Sequence, residues 1–331
     1  MRIAIITDTY PEQINGVVTT LRNVSAELRN TGHEVVTIDP SCFKTVSCPG
    51  YPEIKLAWNT LWGLPKILKE MKADCYHIAT EGPIGLTARL YLAINGIAHS
   101  TSYHTKFPEY LAKRYPIPLW LSYAYFRWFH YRAKHVLVTT KNMYDELSDR
   151  GFRNLIVWSR GVDMTTYSPS HEVDLGYARP IHINVGRVSV EKGLEDFLSL
   201  DLPGTKLIVG DGPELMKLKE KYPDVVFVGM KTGHELATYY ASSDVFVFPS
   251  KTDTFGVVML EAMASGLPIA AYPVTGPIDV VENGMNGYLN ENLNLAIAQC
   301  YSIPKSTCVE QSKKFTWSEC TKVFLQHLVR V

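Results

Sequence analysis

The chain has 331 residues, 33 basic and 33 acidic side chains and a formal net charge of zero, with 46% hydrophobic and 20% charged residues. At roughly 100–200 residues per domain, that length suits two domains with their own cores, and the composition excludes a disordered chain. A zero balance argues against a general nucleic-acid binder, but it is a cancellation: residues 1–165 hold 19 basic and 14 acidic side chains, +5, and residues 166–331 hold 14 and 19, −5.

The opening Met1-Arg2-Ile3-Ala4-Ile5-Ile6-Thr7-Asp8 has four apolar residues in a row before an acid, too few for a secretory leader and suited to a buried strand. Similar runs predict strands at 2–7, 34–38, 75–79, 98–103, 135–139 and 155–158, then at 182–185, 206–209, 225–228, 245–248, 269–272 and 287–289. β-Branched runs bounded by Gly, Pro or Asp fit parallel strands covered on both faces. Between them Val17, Leu21, Val24 and Leu28 form one helical stripe ending at Gly32, and Leu86, Leu90 and Ala93 repeat the pattern ahead of Gly96. Strand–helix alternation occurring twice implies two doubly wound α/β domains. The polar stretch 167–180 is the expected seam, giving domains 1–166 and 167–314, with a terminal helical segment 315–331 packing back across them. The stretch 118–131 is interrupted by Arg127 and falls short of the ~20 residues a spanning helix needs. Cys42, Cys48, Cys75, Cys300, Cys308 and Cys320 contain no CxxC pair and read as reduced, mostly buried thiols of a cytoplasmic protein.

In doubly wound folds ligands bind beyond the carboxyl ends of the strands, so the chemistry is expected in the turns that follow them, facing a cleft between the domains. Asn15-Gly16-Val17 opens the first helix, and Gly16 lets an anion approach its amides; the bland alternative is a plain turn glycine. No GxGxxG follows the first strand, which argues against a nicotinamide-dependent dehydrogenase. Gly186-Arg187-Val188-Ser189-Val190-Glu191-Lys192-Gly193 places two cations five residues apart, suited to a diphosphate, against the alternative of a solvated loop. Gly210-Asp211-Gly212 gives a tight turn after the next strand. The densest signal runs from Pro249 to Pro268: a strand end, a turn with Asp253, and a helix starting near Gly256 whose amides at Phe255, Gly256, Val257 and Val258 form an anion site. Asp253 and Glu261 can accept hydrogen bonds from sugar hydroxyls; the alternative is a capping Asp and an exposed helical Glu.

Taken together, Asn15-Gly16-Val17, Tyr103-His104-Thr105, Arg160-Gly161-Val162-Asp163, Gly186-Arg187 with Lys192-Gly193, Gly210-Asp211-Gly212-Pro213 and residues 253–268 resemble, in content and order, the retaining nucleotide-sugar glycosyltransferases of family 4. The resemblance implies the GT-B fold, two Rossmann-like doubly wound parallel-sheet domains facing across a cleft. Glu81-Gly82-Pro83-Ile84-Gly85, the run from Thr101 to Tyr110, and Trp158-Ser159-Arg160-Gly161-Val162-Asp163 look most like the GDP-mannose-dependent α-mannosyltransferase branch, with sulfoquinovosyl-diacylglycerol synthases as near relatives.

The resemblance implies that Gly16 approaches the donor phosphates and that Arg187 and Lys192 neutralise the diphosphate. It also implies that the amides of Phe255, Gly256, Val257 and Val258 hold the sugar and distal phosphate, and that Glu261 binds the ribose. Asp253 stands where the family's Glu-x7-Glu pattern has its first glutamate, a carboxylate one methylene shorter beside the donor sugar, and His104 stands where the family places a histidine against that sugar. His104, Asp253, Arg187 and Lys192 are thus the expected catalytic residues, and Gly210 joins the donor-binding set.

No Asp-x-Asp occurs in the chain. With two cations and a helix start at hand, transfer is expected without a metal and without a cofactor beyond the nucleotide diphosphate sugar, and the resemblance implies retention. The acceptor, a lipid or glycan, is expected at the first domain. There residues 106–135 carry Lys106, Lys113, Arg114, Arg127, Arg132 and Lys134 against one acid, Glu109, interleaved with nine aromatic residues from Tyr110 and Tyr115 to Tyr131. Such a segment suits an anionic membrane surface, against the alternative of a buried helix with solvated basic edges. The leading expectation is a hexosyltransferase, mannose from GDP-mannose, peripheral on the inner face of a membrane. The rivals are a UDP-sugar transferase, a UDP-sugar epimerase of the same fold, and a catalytically silent nucleotide-sugar-binding subunit.

Overall fold

The computed structural model describes residues 1–13, 15–48, 51–114 and 117–331, the side chains of 48, 51–54, 110, 111, 113 and 114 lying outside that description. Cys48, Tyr110, Lys113, Arg114 and Tyr115 therefore lie outside the described residues. The chain divides into two compact units, Met1–Arg160 with Trp317–Val331, and Gly161–Thr316.

In the first unit six parallel strands are ordered β2-β1-β5-β6-β7-β8: β1 (Arg2–Ile6), β2 (Glu34–Ile38), β5 (Cys75–Ile78), β6 (Ser100–Tyr103), β7 (His135–Val138) and β8 (Leu155–Val157). Successive side chains of a strand face opposite ways, so β1 feeds two cores. Ala4 and Ile6 pack with α2 (Thr60–Met71), α3 (Pro83–Ile94) and Phe129 of α5 (Leu119–His130). Ile3 and Ile5 pack with Leu21, Val24 and Leu28 of α1 (Gly16–Asn30), and with Trp317, Cys320 and Phe324 of the C-terminal helix Trp317–Gln326. That helix is fastened by Trp158, whose indole N–H donates to Cys320 O at 2.9 Å. An antiparallel hairpin, β3 (Thr45–Cys48) with β4 (Tyr51–Ala57), stands apart from the large sheet. Helices α4 (Phe107–Arg114) and α6 (Lys141–Asp149) complete the unit among the described residues.

The second unit also has six parallel strands, with one more strand on the outer side of its first: β11-β10-β9-β12-β13-β14, where β9 is Ile181–Val185, β10 Thr205–Val209, β11 Val226–Gly229, β12 Val245–Phe248, β13 Ile269–Ala271 and β14 Gly287–Leu289. Helices α9 (Gly233–Ala241) and α10 (Val257–Ala264) cover one face, and α7 (Leu194–Leu198) and α12 (Leu293–Cys300) the other.

Several expectations are corrected. Residues 161–166 belong with the second unit: the Val162 amide donates to Phe315 O at 3.1 Å and Val162 bridges Thr316, so the first unit ends at Arg160. The terminal helix joins the first unit only from Trp317 onward. On α3 the buried stripe is Ile84, Ala88 and Leu92, while Leu86, Leu90 and Ala93 are half-exposed; the helix is apolar on more than one side, so a second stripe fits the same period. In the basic aromatic segment Tyr123, Phe126 and Phe129 are core residues, and Lys106 is ion-paired to Glu146 at 2.6 Å. Cys75, Cys300, Cys308 and Cys320 are buried free thiols, whereas Cys42 is exposed.

Backbone packing at the carboxyl ends of β9 and β10 tolerates no side chain. Gly210 has φ +144°, and a Cβ there would lie 1.9 Å from Gly186 O. Gly210→Ala must push the two turns apart or distort them, at a cost of about 3 kcal/mol. Urea unfolding is expected to show a loss of that size.

Candidate active site

A doubly wound sheet binds ligands where neighbouring strands send their connections in opposite directions. In the second unit that point lies between β9 and β12, and its two turns carry the predicted cations and one predicted acid. Lys192 Nζ donates to Asp253 Oδ1 at 2.7 Å, both side chains being mostly buried. Thr252 Oγ1 donates to Glu191 O at 3.1 Å, and Gly193 (φ +62°) approaches Pro249 O so closely that a Cβ would sit 3.0 Å from it. Arg187 is half-buried on the first of these turns. Asp253 Oδ2 is buried and accepts no hydrogen bond within the described residues. The second turn runs into α10, capped by Gly256 at φ +85° without a side-chain cap, so the first helical amides at Val257 and Val258 begin beside the ion pair's turn. Unsatisfied amides at a helix start carry partial positive charge. The turn after β10 is laced to the first: the Val188 amide donates to Asp211 O at 2.9 Å and the Glu214 amide to Val188 O at 3.1 Å.

Glu261 sits one turn into α10. Tyr240 Oη, of a fully buried side chain on α9, donates to Glu261 Oε2 at 3.1 Å, and Tyr167 supplies a second hydroxyl to the same carboxyl. Burial pushes the Glu261 carboxyl up to about 7, although both tyrosine hydrogen bonds pull it down. Burial likewise raises the Tyr240 hydroxyl well above its ordinary value, so it stays a donor.

In the first unit the corresponding point lies between β1 and β5. Asp8, after β1, accepts from the amides of Ile84 (2.7 Å) and Gly85 (3.2 Å) at the start of α3, and from Thr80 Oγ1 (2.8 Å). Burial raises its carboxyl to about 6, against the pull of those bonds. Gly16 is exposed at the head of α1, behind the cap Asn15 whose Oδ1 accepts from the Val18 amide at 3.0 Å.

His104 follows β6. Arg160 Nη2 donates to His104 Nδ1 at 2.9 Å while its Nη1 donates to Trp158 O at 2.7 Å. A guanidinium only donates, so Nδ1 carries the lone pair and the neutral ring keeps its proton on Nε2. Burial and the Arg160 charge hold the imidazole well below its ordinary value. Burial also lowers Arg160 to about 10, which leaves it a cation at neutral pH.

The chain as a whole is similar to known proteins. Residues 14–166 match the family model described as Glycosyltransferase Family 4, and residues 179–301 the model for Glycosyl transferases group 1. A GDP-mannose-dependent alpha-mannosyltransferase of Corynebacterium glutamicum is 31% identical over 316 residues, covering 87% of this chain and 76% of its own length. The chain belongs to glycosyltransferase family 4. The sulfoquinovosyl transferase SQD2 of Arabidopsis thaliana is 32% identical over 330 residues, with 63% of its length covered. Among solved structures, Anabaena Alr3699/HepE in complex with UDP-glucose superposes with a TM-score of 0.74 over 98% of both chains at 16% identity, and the fold is GT-B.

In this family 4 glycosyltransferase the second unit gathers Arg187, Lys192, Gly210, Asp253 and the 255–258 turn around one switch point. Gly16 and His104 belong to the first unit. Sequence reasoning missed Asp8, Arg160, Tyr167 and Tyr240. Asp8 had a visible signal, an acid at a strand end, and Arg160 and Tyr167 lie in or beside a quoted motif. Tyr240 carried none.

The folded carboxyl of Glu261 lies above its ordinary 4.5. Its contribution to stability is therefore complete below about pH 4.5 and is lost as the pH rises through about 7. Relative to Glu261→Gln, the wild type is expected to lose of the order of 2 kcal/mol between pH 5 and pH 8 in denaturant unfolding. A difference that stays constant over that range defeats the assignment.

Proposed function

We propose that the chain is a retaining, metal-independent hexosyltransferase that moves mannose from GDP-mannose to a lipid or glycan acceptor. The observation that carries this reading is the convergence of Arg187, Lys192, Asp253 and the start of α10 on the two turns of one switch point. When the bond between the sugar's anomeric carbon and the distal phosphate oxygen breaks, negative charge grows on the diphosphate. Arg187, Lys192 and the amides at 255–258 are the groups that meet it, and fixed charges of this kind lower such a barrier without reorganisation. With those cations in place no metal or other cofactor is needed for that charge.

Asp253, with Oδ2 open to a hydrogen bond, takes a hydroxyl of the donor sugar, and Glu261 takes the ribose. Gly16 lets the phosphates approach α1, and Gly210 keeps the neighbouring turn low enough to admit the nucleotide. His104 acts as a neutral N–H donor from Nε2 to the sugar, because its Nδ1 is engaged by Arg160. The choice of GDP-mannose rests on likeness to the Corynebacterium relative; a second donor class is favoured by likeness to the sulfoquinovosyl transferase.

A donor panel (GDP-mannose, UDP-glucose, UDP-galactose, UDP-sulfoquinovose) with host lipid extract, read by nucleotide release and product anomer, tests this. GDP-mannose is expected to turn over to an α-linked product, with and without EDTA. A strict Mg²⁺ or Mn²⁺ requirement or an inverted anomer overturns the mechanism, and donor turnover without acceptor indicates an epimerase. Asp253→Glu in the same panel is expected to change the preference among sugars more than the affinity for free nucleotide.

The acceptor side carries an exposed aromatic face. Trp120, Trp128 and Tyr131 are 72%, 44% and 63% exposed on and just after α5, beside exposed Arg127, Arg132 and Lys134. A hollow of about 430 Å³ lies between Arg89, Ile94, Trp128, Tyr131 and Arg132. No helix among the described residues is long and apolar enough to cross a membrane. Interfacial aromatics flanked by cations favour an anionic bilayer surface, and the reading places the protein peripherally, on the cytoplasmic face. In flotation with phosphatidylglycerol vesicles the protein is expected to bind at low salt, release at high salt, and lose binding on Trp128→Ala with Arg132→Ala. No binding at low salt sinks the membrane reading.

A further inference from the structure

The Arg160-Gly161-Val162-Asp163 motif contributes no side chain to the switch-point turns, yet it ends at a residue with a specific task. Asp163 folds the segment after it: its carboxylate accepts from the Thr165 amide at 2.9 Å and from the hydroxyls of Thr165 and Thr166 at 2.6 Å each. Its carbonyl accepts from the Tyr167 amide at 2.9 Å. The turn so closed delivers Tyr167 edge-on to Tyr240, ring centroids 5.9 Å apart, and both hydroxyls reach the Glu261 carboxyl. Three elements far apart in sequence, the 163–167 turn, α9 and α10, thus converge on one carboxyl.

We propose that Tyr167 and Tyr240 are positioning residues that hold the Glu261 carboxylate so that its remaining lone pairs take the vicinal diol of the donor's ribose. The inference rests on the reading of Glu261 as the ribose ligand. A carboxylate has about four acceptor directions; two tyrosine donors leave two for a 2′,3′-diol. Held by hydrogen bonds from α9 and the 163–167 turn, the half-buried carboxylate is fixed in orientation, and both donors are neutral. Tyr240 and Tyr167 are also the ionisable groups that act on Glu261 among the described residues, from the elements packed against it. Removing their hydroxyls therefore favours its protonated form.

The test compares Kd values for GDP and its 2′,3′-dideoxy form by titration calorimetry in wild type, Tyr167→Phe/Tyr240→Phe and Glu261→Gln, with UDP and its dideoxy form run in parallel. Wild type is expected to prefer the ribose form about tenfold. The tyrosine double variant is expected to bind the dideoxy form like wild type and to lose most of that preference. The pH below which its affinity for the ribose form falls is expected to move upward. A double variant that keeps the full preference overturns the inference, as does an equal loss for both forms, which marks a packing role alone. If Glu261→Gln itself keeps the preference, the ribose reading fails first, independently of the tyrosines.

Discussion

Two parallel strands, β9 and β12, lie side by side although some sixty residues separate them, and the chemistry of the second unit follows from that pairing. Ile183 faces Phe246 in the register, and the connections leave in opposite directions, one towards β10 and the other towards β13. The turns at their ends cannot fill the gap they open with helix, so they fill it with each other. A lysine on one meets an aspartate on the other, and glycines carry the backbone through the tight approaches. Burying an ion pair costs desolvation unless its members are well paired. Here one carboxylate oxygen takes the lysine, and the other is buried and accepts no hydrogen bond among the described residues.

The same architecture explains why the unit's overall sign is a poor guide to its site. The second half of the chain is net acidic, yet its switch point carries two cations and a helix start. The first half is net basic, yet the acid Asp8 sits at the equivalent strand end. Screening confines surface charge to about 8–10 Å in physiological salt. The local pair therefore decides what a bound group experiences, and the total decides what the outer surface attracts.

Legibility in the sequence follows the range of the forces involved. Most strands of the two large sheets were readable because they are short apolar runs covered on both faces, although β6 (Ser100–Tyr103) buries hydroxyls instead, and the motifs between them were readable because strand ends hold them in chain order. The hairpin of β3 and β4 was not readable: it stands outside the sheets, so nothing forces its residues into a continuous apolar run. The α3 stripe failed for the reverse reason, apolar residues on too many sides. Tyr240 was invisible because a tyrosine on the buried side of an amphipathic helix reads as core. Only its hydroxyl, brought against Glu261 from twenty-one residues away, separates packing from position. Residues 161–166 were misplaced because a backbone bridge to Phe315 and Thr316 leaves no compositional trace.

The seating of Asp8 on the amino end of α3 has a consequence for the pair of units as a duplicated plan. Their strand orders differ, with one strand beyond β1 in the first sheet and two beyond β9 in the second, but each has a switch point of the kind that in other folds admits a phosphate. In the first unit the protein has put its own anion there, with the Ile84 and Gly85 amides already engaged. A phosphate arriving at the amino end of α3, as distinct from that of α1, meets like charge and occupied donors. The amino end of α3 is thereby closed to an outside anion by the chain's own carboxylate.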